Sequence, residues 1–152
     1  MLVSRNINEV NKQYNRMGLK SHIRKDFKKF IGLAILIEPG RKQGFFIMDV
    51  DKQHGGISTF KILNKFFGPF NTPTVKTPHG GRHIYFAYPI NNSITTIIGV
   101  QPGIDILSDG SIAGAPPSKG FLGNYKWVIS PDLPLMKVPK GMMRYIQPHK
   151  NN

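Results

Sequence analysis

Two aspartates, Asp49 and Asp51, stand one residue apart in the run FFIMDVDKQHGG (residues 45–56), which otherwise has the composition of a buried strand. A carboxylate buried without a partner costs several kcal/mol or stays protonated, so the pair asks for a cation, and a divalent metal is the leading candidate. A third acid, Asp105, repeats the setting: Ile104 and Ile106 flank it and Gly110 follows, as Gly55 follows the first pair. His83 opens another apolar run, HIYFAYP, directly after Gly80, Gly81 and Arg82. Taken singly these features are ordinary, since Asp-x-Asp caps turns, a lone histidine is usually structural and Gly-Gly makes turns. Together they supply carboxylates for a metal, glycines for close backbone approach and a histidine donor, which is what a phosphate-bearing ligand requires.

Acids are scarce in this chain. Its 152 residues carry 21 Lys+Arg against 8 Asp+Glu, a formal net charge of +13, which points to a polyanionic partner, nucleic acid first and an anionic membrane surface second. The plain alternative is a basic globular domain whose acids merely pair with Lys and Arg, but such pairing does not require acids in apolar strands. Ten Phe, five Tyr and one Trp support a real core in a single domain. The absence of cysteine excludes disulfides and thiolate zinc sites. No apolar run reaches the ~20 residues that span a bilayer, and no signal-like segment follows the basic N-terminus, so the expectation is a soluble, cytoplasmic protein with no membrane association.

The elements that must position these residues read as α+β. Residues 1–30 form a basic, weakly helical arm. The segments 31–40 and 44–51 read as strands joined in a hairpin across EPGRKQG, and the period of two puts Phe45, Ile47, Asp49 and Asp51 on one face. Ile57, Phe60, Leu63 and Phe67 recur at helical spacing until Gly68-Pro69, and the Gly55-Gly56 step before them resembles a helix N-terminus able to meet an anion. Residues 72–89 read as strand, Gly-Gly turn, strand, with His83, Tyr85 and Ala87 on one face. Asp105 lies in a further strand that turns at Asp109-Gly110, GAPPSKG reads as a loop, YKWVIS as a strand, and PKGMMRYIQP as a short closing helix.

The succession IMDVDKQHGG, TPHGGRHIYFAYP and GIDILSDGSIAGAPPS, followed by YKWV and PDLPLMKVP, resembles the bifunctional DNA primase/polymerase (prim-pol) N-terminal domain of the archaeo-eukaryotic primase superfamily, found on plasmids and in phages. The resemblance covers about residues 31–146, leaving 1–30 as an arm and 147–152 as a tail. It implies a small α/β module plus an RRM-like module with the active site in the cleft between them. It further implies that Asp49, Asp51 and Asp105 hold Mg²⁺ or Mn²⁺ and that His83 contacts the phosphates of an incoming nucleotide. Gly80, Gly81 and Arg82 belong to the same motif; Lys76 and Lys119 join them as nucleotide-binding candidates on charge and position. The implied partners are a single-stranded DNA template, nucleoside triphosphates and a replicative helicase. The chain departs from the family pattern in having His79 where Ser is common before Gly-Gly, and Leu107 where a cation often follows Asp-Ile. Two other readings use the same residues: a metal-dependent nuclease, and a non-catalytic single-stranded nucleic-acid-binding replication module.

Overall fold

The computed structural model of the chain describes residues 21–24 and 34–148. Its main body is a six-stranded sheet in the order β11-β4-β5-β3-β7-β6, with every neighbouring pair antiparallel. The strands are β3 (Phe45–Val50), β4 (Thr74–Lys76), β5 (Arg82–Ala87), β6 (Ile97–Gln101), β7 (Ile104–Leu107) and β11 (Lys126–Ile129). A smaller sheet, in the order β1-β2-β8, joins β1 (Ser21–Arg24), β2 (Ala34–Ile37) and β8 (Ala113–Ala115). The hairpin of β9 (Lys119–Gly120) and β10 (Gly123–Asn124) stands apart as a two-stranded ribbon.

β3 is central, and its sequence explains why. Phe45, Phe46, Ile47, Met48 and Val50 are all fully buried, so the strand is covered on both faces, as its nearly unbroken apolar run requires. On one face Phe45 and Ile47 pack with Val75, Tyr85, and Ile35, Ile37, Ala113 and Ala115 of the small sheet. On the other, Phe46, Met48 and Val50 pack with Ile84, Phe86, Ile104 and Ile106 beneath α1 (Gly56–Phe67) and α2 (Met143–Ile146), which contribute Leu63 and Ile146. Phe86 stacks on Phe46 at 5.6 Å and meets Phe70 edge-on at 5.5 Å, and each buried ring contributes about 1.5–3 kcal/mol of transfer free energy. α1 ends where the sequence says it must: Gly68 N–H closes on Asn64 O at 2.9 Å, and Pro69 cannot continue the ladder.

The chain is therefore mixed α+β, mostly antiparallel sheet with few helices. The helix, the Gly-Gly turn at 80–81 and the strands carrying Asp49, His83 and Asp105 form as expected. Three local expectations are corrected. The segments 31–40 and 44–51 do not make a hairpin: β2 joins the small sheet and β3 the large one, and among the described residues their strand pairing is limited to the Gly40–Phe45 bridge. Glu38-Pro39-Gly40 breaks the pairing, and the 3₁₀ turn at Arg41–Gln43 carries the chain from one layer to the other. Part of the expected GAPPSKG loop is strand, because Gly114 and Ala115 pair with Leu36 and Ile35. Ser21–Arg24, expected within a weakly helical arm, is a strand held by β2, tertiary pairing overriding a weak local preference; the rest of residues 1–30 lies outside the described residues. Among the described residues no helix is long and apolar enough to cross a membrane.

Candidate active site

The antiparallel register sets the site. Asp49 on β3 lies directly opposite His83 on β5 and Asp105 on β7. Directly opposed residues project to the same face, with Cβ atoms about 4.5–5.5 Å apart. Asp105, Asp49 and His83 therefore form one row across three adjacent strands, and Val75 and Trp127 extend it across β4 and β11. The neighbouring row runs Ile104, Val50, Arg82, Lys76, Lys126 and projects to the opposite face. One residue step along the strands thus separates an acid and histidine row from a row with three cations.

Asp51 follows just past the end of β3 and caps the 3₁₀ turn Lys52–His54. Its Oδ1 accepts from Gln53 N–H at 2.8 Å, and His54 Nδ1 donates to its Oδ2 at 2.5 Å. The hydrogen bond from His54 holds the Asp51 carboxyl below its usual range, and the same bond raises the His54 imidazole above its ordinary value. The backbone of Asp51 is pinned as well. Its N–H donates to Gly103 O at 2.8 Å, and its carbonyl accepts from Gly56 N–H at 2.8 Å. Gly56 packs so closely here that a Cβ would collide with Gly103 O and would stand 2.6 Å from Asp51 O. The Gly55-Gly56 step is thus used to lock α1 against the β6–β7 turn, and the Gly56 amide is directed to Asp51 rather than outward. Gly81 has a matching role on the other side, where a Cβ would collide with Val50 O.

A cavity of about 260 Å³ opens at this end of β3, lined by Asp49, Asp51, Lys52, Gln53, Thr77, His79, Gly81, His83 and Tyr125. It is smaller than the ~300–1,000 Å³ of pockets that engulf a drug-sized ligand, which suits a charged group entering a polar mouth. The His83 side chain is 7% exposed and its Nε2 is 3.6 Å from Asp49 Oδ1, an ion-pair distance beyond a hydrogen bond; Asp49 is 28% exposed. The Tyr125 ring lies 5.9 Å from the His83 ring. Burial, with the charge of Asp49 behind it, pushes the Tyr125 phenol up, so it stays a neutral donor at physiological pH.

Asp49, Asp51, His83 and Gly81 of the expected set line the cavity together. Asp105 shares their row but turns its Oδ1 to Gly99 N–H at 2.7 Å. Gly80 belongs to the turn whose amides close internally, Gly80 N–H on Thr77 O at 2.9 Å and Gly81 N–H on Thr77 Oγ1 at 3.1 Å. Arg82 braces that turn by donating to Gly81 O at 2.9 Å, and with Lys76 it lies on the opposite row; Lys119 sits on the β9–β10 hairpin. Lys52, Thr77 and Tyr125 escaped the sequence reading as site residues. Lys52 adjoins Asp51 and Tyr125 opens the YKWV motif, which are signals proximity could have supplied, whereas Thr77 carries none. His79, noted only as a departure from the family pattern, accepts from Gln53 Nε2 at 3.3 Å in the tautomer that leaves Nδ1 bare.

Among the described residues no three of His, Cys, Asp and Glu gather as a ready-made metal cage. The donor chemistry still fits a hard divalent ion: Asp49 and Asp51 share a cavity, Asp105 adjoins Asp49, and each carboxylate oxygen has a lone pair beyond the one its present partner uses.

A search of curated proteins returns no match. The profile of the bifunctional DNA primase/polymerase N-terminal (Prim-Pol) family matches residues 11–141, running through all the strands of the site, and the chain belongs to that family.

Proposed function

We propose that this chain is a DNA primase/polymerase that performs template-directed, metal-dependent nucleotidyl transfer from nucleoside triphosphates, in plasmid or phage replication. The observation that carries the reading is the single row of Asp105, Asp49 and His83 across β7, β3 and β5, with Asp51 on the same cavity at the strand's end. On this reading the large sheet is the counterpart of the RRM-like module, and the cavity is part of the cleft beside it.

Asp49 and Asp51, with Asp105 beside them, would hold Mg²⁺ or Mn²⁺, ions that bind through a few carboxylates and complete their coordination with water and substrate phosphates. When bound there the ion neutralises the triphosphate and lowers the pKa of the attacking 3′-hydroxyl. The remaining work falls to the chain. His83 is held almost fully buried by the sheet, so its ring is fixed before the nucleotide arrives and donates to a phosphate oxygen without reorganisation. Lys52, whose stem lies over Gly80, brings the cavity's own cation toward the leaving pyrophosphate. The neutral Tyr125 phenol beside His83 offers a further donor, and the Gly56–Gly103 and Gly81–Val50 contacts hold the two carboxylates at a fixed spacing. The 3′-oxygen attacks the α-phosphorus in line and pyrophosphate departs.

The test is incorporation of labelled nucleotides on primed and unprimed single-stranded templates with Mg²⁺ or Mn²⁺, comparing wild type with Asp49→Ala/Asp51→Ala. Products that need nucleotide and metal and vanish in the variant support the reading, and products on unprimed template add priming. Template degradation without added nucleotide would mark a nuclease. Unchanged DNA binding with no product from either protein would leave a binding module.

A further inference from the structure

Capping a turn takes one oxygen of a carboxylate, and Asp51 uses two. Its Oδ1 accepts from Gln53 N–H at 2.8 Å, the bond that caps the 3₁₀ turn Lys52–His54. Its Oδ2 accepts from His54 Nδ1 at 2.5 Å, a bond the turn does not need. With a donor on each oxygen the plane of the carboxylate is fixed, because rotation about Cβ–Cγ would break both bonds.

The residues of the turn divide their work. Lys52 and Gln53 line the cavity with Asp51, while the His54 side chain stands outside it, 74% exposed. Gly55, at φ +81, ends the turn directly after His54 and hands the chain to α1. The imidazole therefore reaches Asp51 from the solvent side, and each carboxylate oxygen keeps a lone pair for the cavity. A solvent-exposed pair of this kind adds little to stability, so stability gives no account of the ring's presence. A parallel arrangement is found at Asp105, whose Oδ1 accepts from Gly99 N–H at 2.7 Å. Gly99, at φ +67 where β6 shifts register, directs that amide across to β7. The two carboxylates beside Asp49 are thus each held by a donor outside the cavity lining, Asp105 by backbone and Asp51 by a side chain that substitution can remove.

We infer that His54 is a positioning residue for the metal: its Nδ1–H holds the Asp51 carboxylate in the orientation that presents the remaining lone pairs to a divalent ion shared with Asp49. Outer partners that orient a ligand raise metal affinity because the ligand need not be reoriented on binding. The hydrogen bond rather than a charge does the holding, since Nδ1–H donates from the neutral ring in that tautomer as it does from the imidazolium. An uncharged donor in the same place therefore serves equally. The inference rests on the proposed function for making Asp51 a metal ligand.

Mn²⁺ titration of the full chain, followed by the electron paramagnetic resonance of the free ion without nucleotide or DNA, tests it. His54→Ala should weaken Mn²⁺ binding by roughly 10- to 100-fold, the range for loss of an outer partner. His54→Phe, which keeps a ring but no donor, should match it. His54→Asn, whose amide nitrogen stands where Nδ1 stands, should restore most of the affinity. Matching thermal melts in EDTA establish that the variants are folded, and a loss of affinity with an unchanged melt separates positioning from a merely structural role. Wild-type affinity in His54→Ala and His54→Phe overturns the inference, and so does an equal loss in His54→Asn. If the same experiment shows Mn²⁺ binding abolished by Asp49→Ala/Asp51→Ala but indifferent to His54, the inference falls and the proposed metal site stands. A wild type that binds no Mn²⁺ overturns both. Binding that depends on His54 in a chain that makes no polymer sinks the proposed function and leaves this inference standing.

Discussion

Replacing Gly56 by Ala sets local propensity against packing, with opposite signs. Gly56 opens α1, and alanine in a helix is ordinarily better than glycine by about 0.5–1 kcal/mol. Its backbone has no left-handed strain to forbid a side chain. The added methyl would strike Gly103 O and stand 2.6 Å and 2.8 Å from the carbonyl oxygen and nitrogen of Asp51, where ordinary contact begins near 3.4 Å. All three are backbone atoms, which cannot rotate away, so the cost belongs at the upper end of the ~1–3 kcal/mol of overpacking. The net is a destabilisation of about 2–2.5 kcal/mol, or roughly 4–10 °C in melting temperature for a domain of this size. Because Asp51 is the group pushed, nucleotide incorporation should fall by more than stability explains. Gly55→Ala is the control: Gly55 has φ +81 and nothing within 4 Å of a new Cβ, so it bears only the ~1–2 kcal/mol of left-handed strain and leaves Asp51 in place. Thermal denaturation by circular dichroism and the incorporation assay read both variants. A Gly56→Ala chain that melts at or above wild type and incorporates normally would refute the lock between α1, Asp51 and the β6–β7 turn.

Asp105→Asn relieves a like-charge pair with Asp49 directly across the ladder, so melting temperature should hold or rise by the equivalent of about 0.2–1 kcal/mol while incorporation falls by more than roughly 100-fold; a fall in both would mean Asp105 is structural. The His54 ring should titrate above its ordinary value, and Asp51→Asn should lower it, as followed by the imidazole proton resonances. The stability from this pair is present while His54 is charged and is lost as pH rises through its raised pKa; at the acid end it is lost as pH falls through the lowered pKa of Asp51. Phe86→Ala removes a ring stacked on Phe46 and edge-on to Phe70 and should cost about 3–5 kcal/mol in denaturant unfolding; less than 1 kcal/mol would contradict the packing described.

Much of the site was legible because strand periodicity is local information. Counting by twos from Phe45 put Asp49 on a definite face, and the same count from His83 put Tyr85 beside it. Helical spacing from Ile57 to Phe67 was equally plain. What escaped depends on register, which no single strand contains. That Asp49 meets both His83 and Asp105 follows from two separate pairings. That Arg82, beside His83 in sequence, belongs with Lys76 and Lys126 on the other face follows from the pleat once those pairings are known. The jump of β2 into the smaller sheet was hidden because EPGRKQG has the composition of a hairpin turn, and the other partner of β2 is the short run of small residues Ala113-Gly114-Ala115. Asp51 read as the twin of Asp49, yet it caps a turn and holds His54, a role set by the three residues after it rather than by the strand before it.

The alternation of rows across the large sheet makes chain length within its strands a functional quantity. Sliding β3 by one residue against its neighbours would turn Val50 toward the cavity and send Asp49 to the helix-covered face, while the same slip in β5 would exchange His83 for Arg82. A single-residue insertion or deletion between Phe45 and Val50 thus replaces the site's Asp49 carboxylate by a neutral side chain. Length changes can be absorbed instead in the turn around Gly44, where a new side chain would meet nothing within 4 Å, or at the exposed ribbon tip. Variation in length among chains of this design should therefore collect in connections, with the strands acting as fixed rulers between them.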